Sequence, residues 1–447
     1  MALLSKGARQ ALALIALTMP GTASTRAAQP GGGDAPLTFR IAVIPDTQHY
    51  LDYRKQTGAG YPFDGVALFY DQMRFIADHS VAAGGDIAFA TAVGDVWEHQ
   101  SLPVDPDNTA KGIHAIDNPK LRGILEATPR TRTVEMPAAR RGYAMLAGKL
   151  PFSVVPGNHD YDAQFTSAKF PPTTDPAMKR AATPAYYGML HVGGLRNFTS
   201  VFGADTPFFR GKPWYVASYR GGADSAQIFT AGGYRFLHIG LEFAAPDDAL
   251  DWAARVMARH PGLPTIVTTH DFLNSDGSRT PNPVVDMKAV DPANNNPEDV
   301  WRKFIRRHDQ IFLVLSGHER GQAYRVDANA FGHPVYQMMA DYQDRNASYR
   351  NTSGDGSSTT ARPTGDGWLR MLSFDMRPAS PVIRVRTYST YYKAYSTQVP
   401  AYAAWYKADD APRASAADYR AKDDFTVTLT GFRQRFAKGA ARKPSLN

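Results

Sequence analysis

An α/β sandwich is the fold class predicted for this 447-residue chain, on three observations. Short apolar runs of strand length alternate with longer helical patterns over most of the sequence. Several of those runs end in a cluster of polar residues, which a sheet would gather along one edge. The composition is that of an ordinary globular protein, 43% hydrophobic and 21% charged, and the chain is long enough to bury a large core without a disulfide or structural metal.

At the start of the chain, Lys6 and Arg9 precede an apolar stretch from Ala11 to Met19, then Pro20, Gly21 and small residues. This predicts an export signal over 1–28, cleaved between Ser24 and Ala28, and a periplasmic or secreted mature protein. The apolar run is too short to span ~30 Å of hydrocarbon, and no later segment is long and apolar enough to do so. A Gly/Pro linker (29–37) leads into the main domain, 38–390. Strands are predicted at Phe39–Ile44, Ile87–Val93, Phe152–Val155, Tyr234–Leu241, Thr265–Thr269, Ile311–Leu315, Val335–Met339 and Trp368–Phe374. Helices are predicted at Gly65–Ala82, Arg140–Gly148, Ala249–Arg259 and Pro297–Arg307.

Insertions fall near 99–133 and 161–227, with a third irregular stretch at 274–296. The second insertion holds many rings, among them Phe198, Phe202, Phe208, Phe209 and Trp214, and is expected to pack as a lid or cap with those rings as its core. Residues 391–447 form a C-terminal extension. Its basic cluster (Arg433, Arg435, Lys438, Arg442, Lys443) accounts for much of the +8 net charge and is expected to be a solvated tail. Specific nucleic-acid binding is not expected.

Five predicted strand ends carry metal-capable groups: Asp46-Thr47-Gln48, Gly94-Asp95, Gly157-Asn158-His159-Asp160, Thr269-His270 and Gly317-His318. Cysteine is absent, so thiolate ligands and cysteine nucleophiles are excluded, and any metal must sit among His, Asp, Glu, Asn or Gln. Each group has a plainer alternative: Asp46 and Asp95 as helix caps, Asn158 as an Asx turn, His270 as a hydrogen-bonded core residue. His49, His99, His238 and His333 are read as structural or surface residues. Glu319 would face away from His318 if the strand end stays extended.

Taken in order, these clusters resemble the motifs of the calcineurin-like metallophosphoesterases: D-x-H, G-D-x-x-D, G-N-H-[DE], an isolated H and G-H-x-H. The resemblance runs from Asp46 to at least Arg320, and Gly157-Asn158-His159-Asp160 is its most specific part. The Asp46-Thr47-Gln48 opening, with Ala340-Asp341-Tyr342-Gln343 and Gly365-Asp366-Gly367-Trp368-Leu369-Arg370, is similar to one bacterial subgroup. The resemblance implies a four-layer αββα sandwich, one or two divalent ions (Mn, Zn, Fe or Mg) and a phosphate mono- or diester substrate. Asp95 would bridge the metals, Asp46 and Gln48 would hold the first, and Asn158, His270 and His318 the second. A metal-bound hydroxide would attack phosphorus in line, with His159 as acid or transition-state stabiliser and Glu98 orienting its imidazole.

Two positions depart from the family pattern. Gln48 and Arg320 stand where histidines are usual, and a guanidinium has no acceptor with which to ligate. Either Arg320 turns outward or the first site is weak; the expectation is a tight second site and a labile first one, with Arg320 engaging phosphate oxygens. A non-catalytic binding protein on the same fold is the alternative these departures raise.

Overall fold

The computed structural model describes residues 36–123, 125–173, 187–347 and 364–440. The expected export signal, most of the linker, Arg442 and Lys443 lie outside the described residues.

The chain opens with β1 (Thr38–Ile44), β2 (Ile87–Ala92), a short β3 (Ala115–Ile116), β4 (Phe152–Val154), β5 (Ala163–Ser167) and β6 (Leu190–Gly193). It continues through β7 (Tyr215–Tyr219), β8 (Asp224–Ala231), β9 (Tyr234–Gly240), β10 (Thr265–Thr268), β11 (Ile311–Ser316), β12 (Gly321–Ala328) and β13 (Pro334–Asp341). The last strands are β14 (Trp368–Asp375), β15 (Val382–Ser389), β16 (Ala394–Tyr395) and β17 (Asp424–Thr428). One sheet has the order β16-β15-β14-β1-β2-β4, with β17 also on β15; the other runs β12-β13-β11-β10-β9-β8-β7. A small third sheet holds β3, β5 and β6.

Strand alternation explains how the two large sheets stack. Ile41 and Val43 point into an apolar seam with Phe236, Phe312 and Leu313 of the other sheet, while Ala42 and Ile44 pack under the helices Gly65–Asp78 and Met136–Ala144. The second sheet does the same: Leu313 and Leu315 face the seam, and Val314 faces the helices Asp247–Arg259 and Pro297–Lys303. The result is a mixed α/β fold of two sheets joined through one core, each flanked by helices. Each Phe fully buried in the seam contributes roughly 1.5–3 kcal/mol.

β1, β2 and β4 are parallel, as are β9, β10, β11 and β13. Parallel strands end on the same edge, so the loops following them open together. All eight predicted strands are present within two residues at either end. β8, β12 and β15, which were not anticipated, are antiparallel to their neighbours and alternate buried with less buried residues over at least part of their length. They therefore lack the continuous apolar run of a strand covered on both faces. The helix predicted from Arg140 starts at Met136, where Pro137 suits the first turn.

The aromatic insertion does use its rings as core: Phe198, Phe202, Phe208 and Phe209 pack with Phe69, Trp97 and Tyr143. It is more regular than a loop, containing β5–β7 and the helix Arg196–Phe202. The C-terminal segment joins the first sheet through β17. Buried Asp423 anchors it, ion-paired to Arg370 at 2.7 Å and accepting bonds from Tyr342 and Tyr402 hydroxyls at 2.9 and 2.6 Å. Of the basic cluster expected to be solvated, Arg435 instead has a side chain only 4% exposed, donating to the carbonyls of Asp309 and Pro334 at 2.7 and 2.9 Å. No helix among the described residues is long and apolar enough to cross a membrane.

Candidate metal centre

The loops after β1, β2, β4, β10 and β11 are stitched to one another by the backbone. Thr47 N donates to Asp95 O at 2.9 Å, and Gly317 N donates to His270 O at 2.8 Å. Asp160 clamps the loop after β4 to the loop after β2, accepting from Gly157 N at 2.8 Å and Val96 N at 2.9 Å. Glycines let the carboxylates approach closely. A Cβ on Gly157 would lie 2.2 Å from Asp95 Oδ1, and one on Gly317 would lie 2.1 Å from Asp46 Oδ1. Asp95 (φ 49°) and His318 (φ 70°) both occupy the left-handed region, an uncommon conformation for these residues that turns their side chains inward.

Of the six predicted ligands, Asp95, Asn158, His270 and His318 bring their polar atoms together, Gln48 hydrogen-bonds Asp95, and Asp46 lies against the His318 backbone. Asp46 accepts from His318 N at 3.1 Å through Oδ2. His270 Nδ1 donates to Val93 O at 2.9 Å, which fixes the tautomer of the neutral ring and leaves a lone pair on Nε2. That nitrogen faces Asn158 Oδ1 at 3.1 Å, Asp95 Oδ1 at 3.3 Å and His318 Nδ1 at 3.0 Å. Lone pairs and negative oxygens pointed at a common volume repel unless a cation lies between them, so the donor set fits a divalent ion. Asp46 is pushed well up by burial and then by the charges of Asp341 and Asp95.

Two buried groups of His, Asp and Glu are placed to chelate a metal: Asp95–His270–His318 and Asp52–His99–Glu135. The second group already has its charges matched. Glu135 accepts from His99 Nδ1 at 2.7 Å and from His99 N at 3.1 Å. Asp52 accepts from Arg54 Nη2 at 2.8 Å, with Lys55 Nζ 4.0 Å away. Among the described residues, neither Asp46 nor Asp95 forms an ion pair with Lys or Arg, so the first group is the one short of positive charge.

Next to the ligands lies a cavity of about 610 Å³ lined by Gln48, Asn158, His159, His318, Glu319 and Arg320, among others. His159 reaches it with its ring held by Nδ1 on the main-chain carbonyl of Glu98 at 2.6 Å. The orienting oxygen is therefore this carbonyl, and the Glu98 carboxylate stands 3.8 Å off. Arg320 lines the same cavity, ion-paired with Asp344 and half exposed. Gln48 donates Nε2 to Asp95 Oδ2 at 3.2 Å, and its Oε1 has no hydrogen-bond partner among the described residues.

Glu319 departs from the expectation of an opposite face. The left-handed backbone at His318 ends the extended strand, so Glu319 lines the same cavity and accepts from Asn282 Nδ2 at 2.8 Å. His238 is a core residue, bonded to Gln227 and Thr268 and pushed down to about 3 by burial. His49 is buried rather than superficial, 3.1 Å from Asp344 Oδ1. His99 belongs to the second chelating group. Asp341, part of a subgroup motif in the sequence, is buried at the end of β13. Its strand-end position was the signal that would have singled it out.

No family model matches the chain. Over 207 residues it is 26% identical to Uncharacterized protein YvnB of Bacillus subtilis (strain 168). That stretch covers 45% of this chain and 13% of the length of the Bacillus protein.

Proposed function

We propose that this chain is an exported metal-dependent phosphoester hydrolase of the calcineurin-like type, acting on a phosphate mono- or diester. The observation that carries this reading is His270 Nε2, turned toward Asp95 Oδ1, Asn158 Oδ1 and His318 Nδ1 inside 3.3 Å with its other nitrogen committed to Val93. The layering of helices, sheet, sheet and helices supports the four-layer sandwich that the motif resemblance implies.

Asp46, Gln48, Asp95, Asn158, His270 and His318 would hold one or two divalent ions. Such ions supply positive charge for phosphate oxygens and acidify water toward neutrality. The chain's own groups do the rest. His159, its Nδ1–H held by Glu98 O, presents its opposite ring nitrogen to the cavity, where the doubly protonated ring donates to the leaving oxygen. Glu98, buried yet held below its usual range by His159, His49 and Lys55, supplies negative charge behind that ring. Arg320, paired with Asp344 at the cavity wall, is placed to meet a substrate phosphate oxygen.

The test is turnover of p-nitrophenyl phosphate and its bis ester by chelated protein given Mn²⁺, Zn²⁺, Fe²⁺ or Mg²⁺. Hydrolysis of at least one ester with at least one ion is expected. His159→Ala is expected to bind the same ion while losing about 10²-fold or more in kcat. Metal uptake with no hydrolysis of either ester would instead favour a non-catalytic binding protein, for which the placement of His159 gives no reason.

A further inference from the structure

His49 is buried with a carboxylate facing each ring nitrogen. Nδ1 lies 3.1 Å from Asp344 Oδ1, and Nε2 lies 3.7 Å from Glu98 Oε2. Each of those carboxylates also meets a residue of the cavity wall. Asp344 Oδ2 is ion-paired with Arg320 Nε, and Glu98 Oε2 stands 3.8 Å from His159 Nδ1. Arg320, Asp344 and His159 line the cavity, whereas His49 and Glu98 are buried. The side chains form one series, Arg320–Asp344–His49–Glu98–His159. Carboxylates alternate in it with basic groups, and the basic ends face the cavity.

This series crosses from one sheet to the other. His49 lies in the short helix Gln48–Leu51 after β1, and Glu98 and His159 follow β2 and β4, all in the first sheet. Arg320 lies between β11 and β12, and Asp344 follows β13, in the second sheet. Both sides are anchored. Glu98 Oε1 is 3.7 Å from Arg54 Nη2. Arg345, next to Asp344, is buried and ion-paired with Asp410 at 2.9 Å and Asp423 at 3.5 Å. The contact between His49 and Asp344 therefore joins two fixed segments.

We infer that His49 is a positioning residue that sets the spacing between Arg320 and His159 across the two sheets. This rests on the phosphoester reading above, in which Arg320 meets a phosphate oxygen and His159 the leaving oxygen. Both oxygens belong to one phosphate, so the groups that meet them must keep one separation. A misplacement of about 1 Å costs on the order of 10²-fold in rate. His49 acts through Asp344 and Glu98 and does not itself line the cavity.

The experiment is calorimetry of inorganic phosphate binding to the Mn²⁺-loaded full chain, with turnover of the two p-nitrophenyl esters measured alongside. His49→Leu breaks both contacts while leaving Arg320 on Asp344 and Arg54 near Glu98. It is expected to weaken phosphate binding about tenfold and to lower kcat about tenfold, the scale on which losing an outer partner of a functional group is felt. Mn²⁺ binding should stay at the wild-type value. In an Arg320→Ala background the same change should no longer weaken phosphate, because its effect passes through Arg320. An equal loss in both backgrounds, or none in either, would overturn the assignment. So would loss of Mn²⁺ together with phosphate, which would place the effect on neighbouring Gln48. Wild type that neither binds phosphate nor hydrolyses an ester would remove the phosphoester reading itself. Should His49→Leu fail to fold, His49→Gln is put through the same two backgrounds and judged by the same outcomes.

Discussion

His318 Nδ1 stands 3.0 Å from His270 Nε2, two ring nitrogens facing each other between the oxygens of Asp95 and Asn158. Hydrogen bonding alone leaves that arrangement incomplete: Asp95 Oδ1 accepts from His159 N at 2.9 Å, and one shared proton satisfies at most two of the other three acceptors. A cation satisfies all four. His270→Ala is therefore expected to abolish retention of an ion after gel filtration of the loaded protein. The same change should leave the metal-free fold in place, since four repelling acceptors become three. Metal retained at the wild-type ratio would contradict this.

Gly157→Ala tests the close approach of backbone to Asp95. Gly157 has φ −90°, open to any residue, so the obstacle is steric alone. The new methyl would meet Asp95 Oδ1 at 2.2 Å and Asp95 N at 2.4 Å. Overpacking of this kind costs about 1–3 kcal/mol, and the displaced carboxylate should weaken metal binding. Thermal melting and a Mn²⁺ titration check both. An unchanged titration would mean that Asp95 does not hold the ion.

Lys55 predicts a pH dependence. It is 4% exposed, its Nζ lacks a hydrogen-bond partner among the described residues, and burial pushes it down from 10.5 to about 8 against the pull of Glu98 and Asp52. Between those two values the unfolded chain binds more protons than the folded one, so stability contributed through this group rises with pH. The stability of wild type relative to Lys55→Met should climb by up to about 3 kcal/mol between pH 7 and pH 10.5. Urea denaturation at the two pH values measures it, and a flat difference would rule it out.

Asp423→Ala is expected to destabilise the fold by about 3–5 kcal/mol, because it leaves the buried guanidinium of Arg370 without its ion-pair partner and strips one from Arg345. Urea unfolding is the check. A loss below 1 kcal/mol would mean that the C-terminal segment is held by its strand pairing alone.

Asp46, Asp95, Asn158, His270 and His318 were legible in the sequence because each follows a continuous apolar run, and parallel strands put such positions on one edge. What the sequence hid depends on backbone conformation or on contacts between distant loops. The left-handed turn at His318 brings Glu319 into the cavity, and no residue pattern encodes it. Glu98 orients His159 through a main-chain carbonyl, which side-chain identity cannot reveal. Asp52, His99 and Glu135 come from a helix end, a loop and a helix start, so no common spacing joins them. β12, β15 and β17 were missed because their alternating residues do not form the apolar runs that marked the buried strands.

The central claim is that Asp95, Asn158, His270 and His318 grip a divalent ion. Anomalous diffraction at the manganese edge from Mn²⁺-loaded crystals tests it most directly. A peak is predicted at ligand distance, about 2.0–2.3 Å, from His270 Nε2, Asn158 Oδ1 and Asp95 Oδ1. A map with no peak between those atoms, or with its only peak among Asp52, His99 and Glu135, would contradict it.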